Sequence, residues 1–298
     1  MREIVVVSGK GGTGKTSLTA AFADLAGRAV VCDLDVDAAD LHLVLTPALE
    51  RREDFFSGHE AVIDPARCTG CGICATLCRF GAVLPEGGGY RIDPTRCEGC
   101  KVCVSLCPEA AVNFPERRCG EWFTGQTRFG TLVHARLTPG AENSGRLVTL
   151  LKKEARAIAL ADGLELVLCD GSPGIGCPVI SSLAGANLAV AVTEPTPSGR
   201  HDLERLLELC ARLRTRACCV LNKCDLNAAE ARAIEELCAA RDVEVVARLP
   251  HDDIVFEAML RGRAVTELPG APMATLLKQA WNRLAALSEL GRPAPWRP

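Results

Sequence analysis

The sequence predicts an α/β fold, a mostly parallel sheet flanked by helices, with a small cysteine-rich α+β domain inserted near its start. Three observations carry this. Apolar runs of strand length (Ile4–Val7, Leu164–Cys169, Leu188–Val192, Ala217–Leu221, Val243–Leu249) alternate with segments of helical periodicity. A glycine-rich loop follows the first run at once, and two nearly matching cysteine segments interrupt the pattern before residue 117. At 298 residues and 48% apolar composition, the chain is long enough for about two domains and a large core. A formal net charge of -3 leaves no electrostatic footprint for nucleic acid, and 4% aromatics leave few base-stacking platforms. No apolar run approaches the roughly 20 residues that span a bilayer. The chain enters a strand at once, with no room for a signal peptide, so a cytoplasmic protein is expected.

The first strand leads into Gly9-Lys10-Gly11-Gly12-Thr13-Gly14-Lys15-Thr16, and Ser17–Ala26 follows as a helix rich in Ala and Leu. Gly9, Gly14, Lys15 and Thr16 meet the pattern G-x-x-x-x-G-K-[ST]. Backbone N–H groups converge on an anion in such a loop, glycine permits close approach, and the helix dipole favours negative charge. The fold class is therefore that of a P-loop NTPase. Gly9, Gly11, Gly12, Thr13, Gly14, Lys15, Thr16 and Ser17 are expected at the nucleotide. A second strand, Arg28–Cys32, delivers Asp33, Asp35 and Asp37 at alternate positions, with Asp40 close behind. Beside a triphosphate, carboxylates at a strand's C-terminal end can hold Mg²⁺ through water and orient an attacking water.

Seventeen cysteines point to metal or redox chemistry in a compartment that does not favour disulfides. Ile63 to Cys78 and Ile92 to Cys107 form an internal repeat, each half reading C-x₂-C-x₂-C-x₃-C, and Cys107 precedes Pro108. This is the run of bacterial two-cluster ferredoxins, in which the fourth cysteine reaches across to the other cluster. Cys68, Cys71, Cys74 and Cys107 are assigned to one [4Fe–4S] cluster, and Cys97, Cys100, Cys103 and Cys78 to the second. Zinc is the competing metal, but zinc sites usually separate their C-x-x-C pairs by longer loops. Arg79 stands where many such ferredoxins carry proline, a cation beside the second cluster. The expected boundaries are 1–58 and 118–298 for the two parts of the P-loop domain and 59–117 for the insert.

Pro115–Leu137 reads as an irregular return loop, with Cys119 a free surface thiol in preference to a further ligand. An amphipathic helix from Ser144 to Ala161 follows, with Lys152 and Lys153 expected on a solvated face. Asp170, at the tip of the next strand, is a second Mg²⁺ partner, and the Gly/Pro-rich run after it suits a loop that rearranges when the γ-phosphate leaves. Asn222-Lys223-Cys224-Asp225 follows a strand as base-recognition elements do, and Pro250 and Asp252 are further candidates for the base pocket. His201 is expected at the surface. The closing helix, Met273–Leu287, has an apolar side and few cations, so core packing is favoured over membrane contact.

Lys10, Gly11, Gly12, Gly14, Lys15 and Thr16 form a deviant P-loop with an extra leading lysine. With Asp33 and Asp35, the cysteine runs, Glu142-Asn143-Ser144-Gly145, Asp170 to Pro178, Thr193-Glu194-Pro195-Thr196 and Asn222-Lys223, the whole chain resembles MinD/ParA/Mrp-superfamily ATPases that contain an inserted ferredoxin domain. The resemblance implies an ATP-dependent homodimer that hydrolyses ATP with Mg²⁺. In it Lys10 would reach phosphates on the other subunit and Lys15 the β/γ-phosphates in cis. Thr16 would ligate Mg²⁺ with Asp33 and Asp170 near it, Asp35 would orient the water, and Asn222 would recognise adenine. The iron protein of nitrogenase invites a further comparison, in which Cys177 holds a bridging cluster. The expected function couples nucleotide state to two [4Fe–4S] clusters, for electron transfer or metal-cluster assembly with a partner protein. Its rivals are a positioning or scaffold switch with structural or oxygen-sensing clusters, and a cluster carrier of the Mrp type.

Overall fold

The computed structural model describes residues 1–138, 140 and 144–289. Glu142 and Asn143 of the resemblance, and the Pro-rich tail Gly291–Pro298, lie outside the described residues. The chain divides into two compact units. The larger comprises Met1–Glu53, Glu121–Leu137 and Ser144–Pro298, and the smaller Asp54–Gly120 and Thr138–Asn143.

A nine-stranded sheet runs in the order Glu244–Leu249, Arg216–Asn222, Leu188–Thr193, Arg2–Ser8, Leu166–Pro173, Val30–Asp33, Gly130–Leu137, Glu116–Thr127, Ala48–His59. Its first seven strands pair in parallel. Parallel strands covered on both faces read as continuous apolar runs, and Ile4 to Val7 at the centre are buried throughout. Helices Lys15–Ala26 and Pro272–Glu289 supply part of that cover, with Phe22 stacked on Trp281 at 5.6 Å between centroids. The closing helix thus buries Leu277, Ala280 and Leu284 in the core. No helix among the described residues is long and apolar enough to cross a membrane. The strand order reverses around Arg2–Ser8, and in open α/β sheets ligands collect at the carboxyl ends beside such a reversal.

Three local expectations change. The segment expected as an irregular return loop forms two strands, Glu116–Thr127 and Gly130–Leu137, beside a third, Ala48–His59, that carries the charged residues Arg51 to Asp54. Arg51 covers the Trp122 ring at 4.5 Å, and Arg52 pairs with Glu121 at 2.5 Å, so charged side chains there pack across neighbouring strands. Cys119 is buried, not a surface thiol, and its Sγ donates to Ser57 O at 3.2 Å. Lys152 is buried too, with its Nζ 2.7 Å from Glu3 Oε1 and further bonds to the carbonyls of Ser181, Ser182 and Ala184. Only Lys153 of that pair is solvated.

The smaller unit shows the sequence repeat in its backbone. Val62–Ile63 pairs antiparallel with Val112–Asn113, and Val83–Glu86 with Gly89–Ile92. The first strand of one repeat therefore joins the last strand of the other. Gly70 packs so closely on Gly88 O that a Cβ would lie 2.5 Å away, and Gly99 stands at the same 2.5 Å from His59 O. Both pairs occupy equivalent places in a 29-residue repeat.

Candidate functional site

The phosphate loop spans the end of Arg2–Ser8 and the start of Lys15–Ala26. Gly14 adopts φ +91°, left-handed backbone that favours glycine, and a Cβ there would sit 2.6 Å from Asn222 Nδ2. Lys15 and Thr13 are both buried. The Thr13 hydroxyl finds no hydrogen-bond partner among the described residues, an orphaned polar atom inside a loop shaped for an anion.

Behind the loop stand three carboxylates. Thr16 Oγ1 donates to Asp170 Oδ2 at 2.7 Å, and Thr19 Oγ1 to Asp170 Oδ1 at 3.2 Å. Asp33, fully buried, accepts from the backbone N–H groups of Asp35 and Leu41, each at 3.1 Å. Its strand ends at Asp33, so Asp35 and Asp37 belong to the following turn rather than to an alternating face, and Asp37 and Asp40 are exposed. Burial, then the charge of Asp170, pushes the Asp33 carboxyl well above the usual range. Burial pushes Asp170 up to about 6 against the opposing hydroxyl bond of Thr16 and the charge of Lys15. Burial also raises Asp35 to about 6, with Lys15 opposing and Asp170, Asp37 and Asp40 adding. Asp33 and Asp170, both buried, with the Thr16 hydroxyl bonded to Asp170, are oxygen donors of the kind a hard divalent cation takes. The residues present fit Mg²⁺.

A 350 Å³ cavity opens beside the loop, lined by Gly12, Gly14, Ser17, Asn222, Lys223, Pro250 and Asp252 among others. Its apolar wall comes from Val255, Phe256, Met259, Met273 and Leu277, which no sequence motif marked. The volume lies in the range of small-ligand pockets. Asn222 reaches the cavity, but its Nδ2 donates to Thr13 O at 2.8 Å and its Oδ1 accepts from Lys223 N. Asp252 caps the helix Asp253–Leu260 by accepting from Ile254 N at 3.0 Å, and Asp225 accepts from His251 N at 2.6 Å.

Lys10 does not project free. Its Nζ lies 2.6 Å from Glu194 Oε1 and 3.3 Å from both Thr196 Oγ1 and Ser198 Oγ. Glu194 Oε2 takes Lys223 Nζ at 3.2 Å, and Lys223 Nζ also donates to Gly12 O. Burial alone would raise the Glu194 carboxyl, but the bonds from Lys10 and Lys223 outweigh it and hold it low. Sequence reasoning gave Glu194 no role, since a glutamate after a strand carries no signature of its partners.

In the smaller unit Cys68, Cys71, Cys74 and Cys107 line one cavity with Tyr90. Cys68, Cys74, Cys78, Cys97, Cys103 and Cys107 pack on a small core of Ala61, Ile63, Val83 and Val112, while Cys71 and Cys100 are exposed. The repeat extends to the sulfurs: Ala82 N donates to Cys78 Sγ at 3.4 Å and Ala111 N to Cys107 Sγ at 3.3 Å. Burial raises the Cys74 thiol, with Cys68 and Cys71 adding, and burial raises Cys103, with Cys97 and Cys100 adding. Among the described residues no three His, Cys, Asp or Glu side chains converge closely enough to hold one metal ion. The first cysteine set lines a small cavity instead, and thiolates are the donors that iron–sulfur clusters take. Cys177 is exposed at the start of the helix Cys177–Leu183.

Residues 4–265 match the model of the CobQ/CobB/MinD/ParA nucleotide binding domain. Two proteins of Methanocaldococcus jannaschii are similar, both described as uncharacterized. MJ0578 is 32% identical over 228 residues, 76% of this chain and 79% of its own length. MJ0579 is 28% identical over 229 residues, 75% of this chain and 80% of its own length. Among solved structures, the cell division ATPase MinD of Pyrococcus furiosus shares the fold with a TM-score of 0.58 at 20% identity, over 96% of this chain and 99% of that one. The septum site-determining protein MinD of Pyrococcus horikoshii OT3, complexed with Mg-ADP, gives 0.57 at 19% identity, over 96% and 98%. The chain belongs to the CobQ/CobB/MinD/ParA nucleotide-binding family.

Proposed function

We propose that this member of the CobQ/CobB/MinD/ParA family is a Mg²⁺-dependent ATPase that couples its nucleotide state and dimerisation to two [4Fe–4S] clusters in the smaller unit. The observation that carries the clusters is one cavity lined by Cys68, Cys71, Cys74 and Cys107, three from one repeat and the fourth from the other. Crossed assignment of that kind is the two-cluster arrangement the spacing predicts. Bound clusters would supply one-electron exchange, toward a redox or cluster-assembly partner protein.

On the ATPase side, the loop N–H groups and Lys15 hold the β/γ-phosphates, and Thr16, Asp33 and Asp170 are the residues that would hold Mg²⁺. Asp35, whose half-buried carboxylate lies beside Lys15, orients the water. The water oxygen bonds to the γ-phosphorus as the bond to the β-phosphate oxygen breaks, ADP leaves, and the water's proton passes to the released phosphate. Such catalysis rests on positioning and electrostatics. Lys10 acts from the other subunit of an ATP-bound dimer. The pocket walls at Pro250 and Met259 take the base, with Asn222 anchoring the loop beside it.

The test is anaerobic purification with iron counting and an EPR-monitored redox titration, with and without a non-hydrolysable ATP analogue. Eight iron atoms per chain, about half of them lost on Cys107→Ser, and midpoint potentials that move with nucleotide are expected. Clusters absent from anaerobic protein, or potentials indifferent to nucleotide, would sink the coupling.

A further inference from the structure

An ammonium group has three donors, and those of Lys10 already face three acceptors of its own chain. The acceptors are Glu194 Oε1 at 2.6 Å and the hydroxyls of Thr196 and Ser198 at 3.3 Å. All three belong to one short segment, from the end of the strand Leu188–Thr193 into the first turn of the helix Pro197–Leu213. That segment is held independently of Lys10. Thr196 caps the helix by accepting from Gly199 N at 3.0 Å, and Thr193 Oγ1 donates to Gly199 O. The Lys10–Glu194 pair is partly shielded, with side-chain exposures of 30% and 15%.

We propose that Glu194 is a latch: it holds Lys10 in cis in the resting chain, and Lys10 must leave it before acting across a dimer. The inference rests on the reading that Lys10 works in trans. Glu194 suits this role because it serves two lysines with two oxygens. When Lys10 departs, Lys223 still neutralises Oε2 and keeps its own bond to Gly12 O, so the open state leaves no bare carboxylate. A triphosphate in the loop adds negative charge beside Lys10 and Glu194, which attracts the lysine and repels the glutamate. Nucleotide and latch therefore compete for one cation, and Glu194 sets how much ATP binding must supply before the dimer closes. Glu194 acts through Lys10, so it is a positioning residue.

The test is Glu194→Gln, which keeps the shape and removes the charge, with dimerisation followed by sedimentation equilibrium in a non-hydrolysable ATP analogue. A part-shielded ion pair contributes up to about fivefold, and each dimer opens two latches, so the dimer dissociation constant should fall by up to about 25-fold. Turnover per chain at low protein concentration should rise with it. The shift must vanish in the Lys10→Ala/Glu194→Gln double variant, which a merely structural effect of Glu194 would not require. Glu194→Asp, with its carboxylate drawn back by one methylene, should give a smaller shift in the same direction and serves if Gln does not fold. An unchanged or weaker dimer in the glutamine or aspartate variant overturns the latch. Lys10→Ala separates the two ideas: normal turnover in it removes the trans reading. Lost turnover in it, together with an unmoved Glu194→Gln dimer, removes the latch alone.

Discussion

Gly14→Ala probes how the phosphate loop is built. The residue sits at φ +91°, and an added Cβ would lie 2.6 Å from Asn222 Nδ2, the atom that holds Thr13 O at 2.8 Å. Left-handed backbone costs a side-chain-bearing residue about 1–2 kcal/mol. Pushing the amide off Thr13 forfeits about 1 kcal/mol more. Together they predict a destabilisation of about 2–3 kcal/mol, read as a lower urea midpoint with an unchanged slope. Gly11 is the control, because nothing lies within 4 Å of its would-be Cβ and its φ is not positive. Gly11→Ala should be neutral, or stabilising by about 0.4–1 kcal/mol through the unfolded chain. In an Asn222→Ala background the clash is gone and only the backbone cost of Gly14→Ala remains, which gives a coupling of about 1 kcal/mol. Equal midpoints for the two alanine variants, or no coupling to Asn222, would refute the reasoning.

Two further substitutions test other parts of the larger unit. Lys152→Met leaves Glu3 buried with Arg156 as its remaining cation, at 2.7 Å, so a loss of about 3 kcal/mol, the low end for a broken buried pair, is expected in urea unfolding. Lys153→Met, on the solvated side, should stay within about 0.5 kcal/mol of the parent. His134 stacks between Phe123 at 4.9 Å and His42 at 5.2 Å with its Nε2 unpartnered, and burial, then the charges of His42 and Arg136, lowers its pKa to about 4. A base whose folded pKa lies below its unfolded value stabilises the fold above the unfolded pKa and loses that contribution as pH falls through the folded one. Stability should therefore decline between about pH 6.5 and 4, and His134→Phe should flatten much of that decline in pH-dependent thermal melts.

Much of the larger unit was legible because its signals are local. The glycine spacing at Gly9–Thr16 and the apolar runs of buried parallel strands each report their own neighbourhood. What stayed hidden depends on partners far along the chain. Lys152 looks solvated in any helical reading, and only the packing of Glu3 and three carbonyls 29 to 32 residues away explains its burial. Glu116–Thr127 reads as irregular from sequence, yet it is the sheet neighbour of Ala48–His59, where Arg52 and Glu121 satisfy each other across the pair. Cys119 was misplaced for the same reason, since a residue cannot be called exposed before the strand that buries it is known.

The N-K-x-D run shows how far a motif carries. Asn222 ends a strand and lines the cavity beside the loop. The chemistry of the run is divided differently. The amide nitrogen serves Thr13, Lys223 serves Gly12 and Glu194, and Asp225 serves His251, so all three named side chains brace the site. What is left to face a base is largely apolar wall, with Phe256, Met259 and Met273 in it. An apolar slot beside a phosphate loop discriminates by shape and stacking more than by hydrogen bonds, and such pockets reject close analogues only weakly. The triphosphate end, with Lys15, the buried carboxylates and the latched Lys10, is therefore where this site holds most of its capacity to tell one nucleotide state from another.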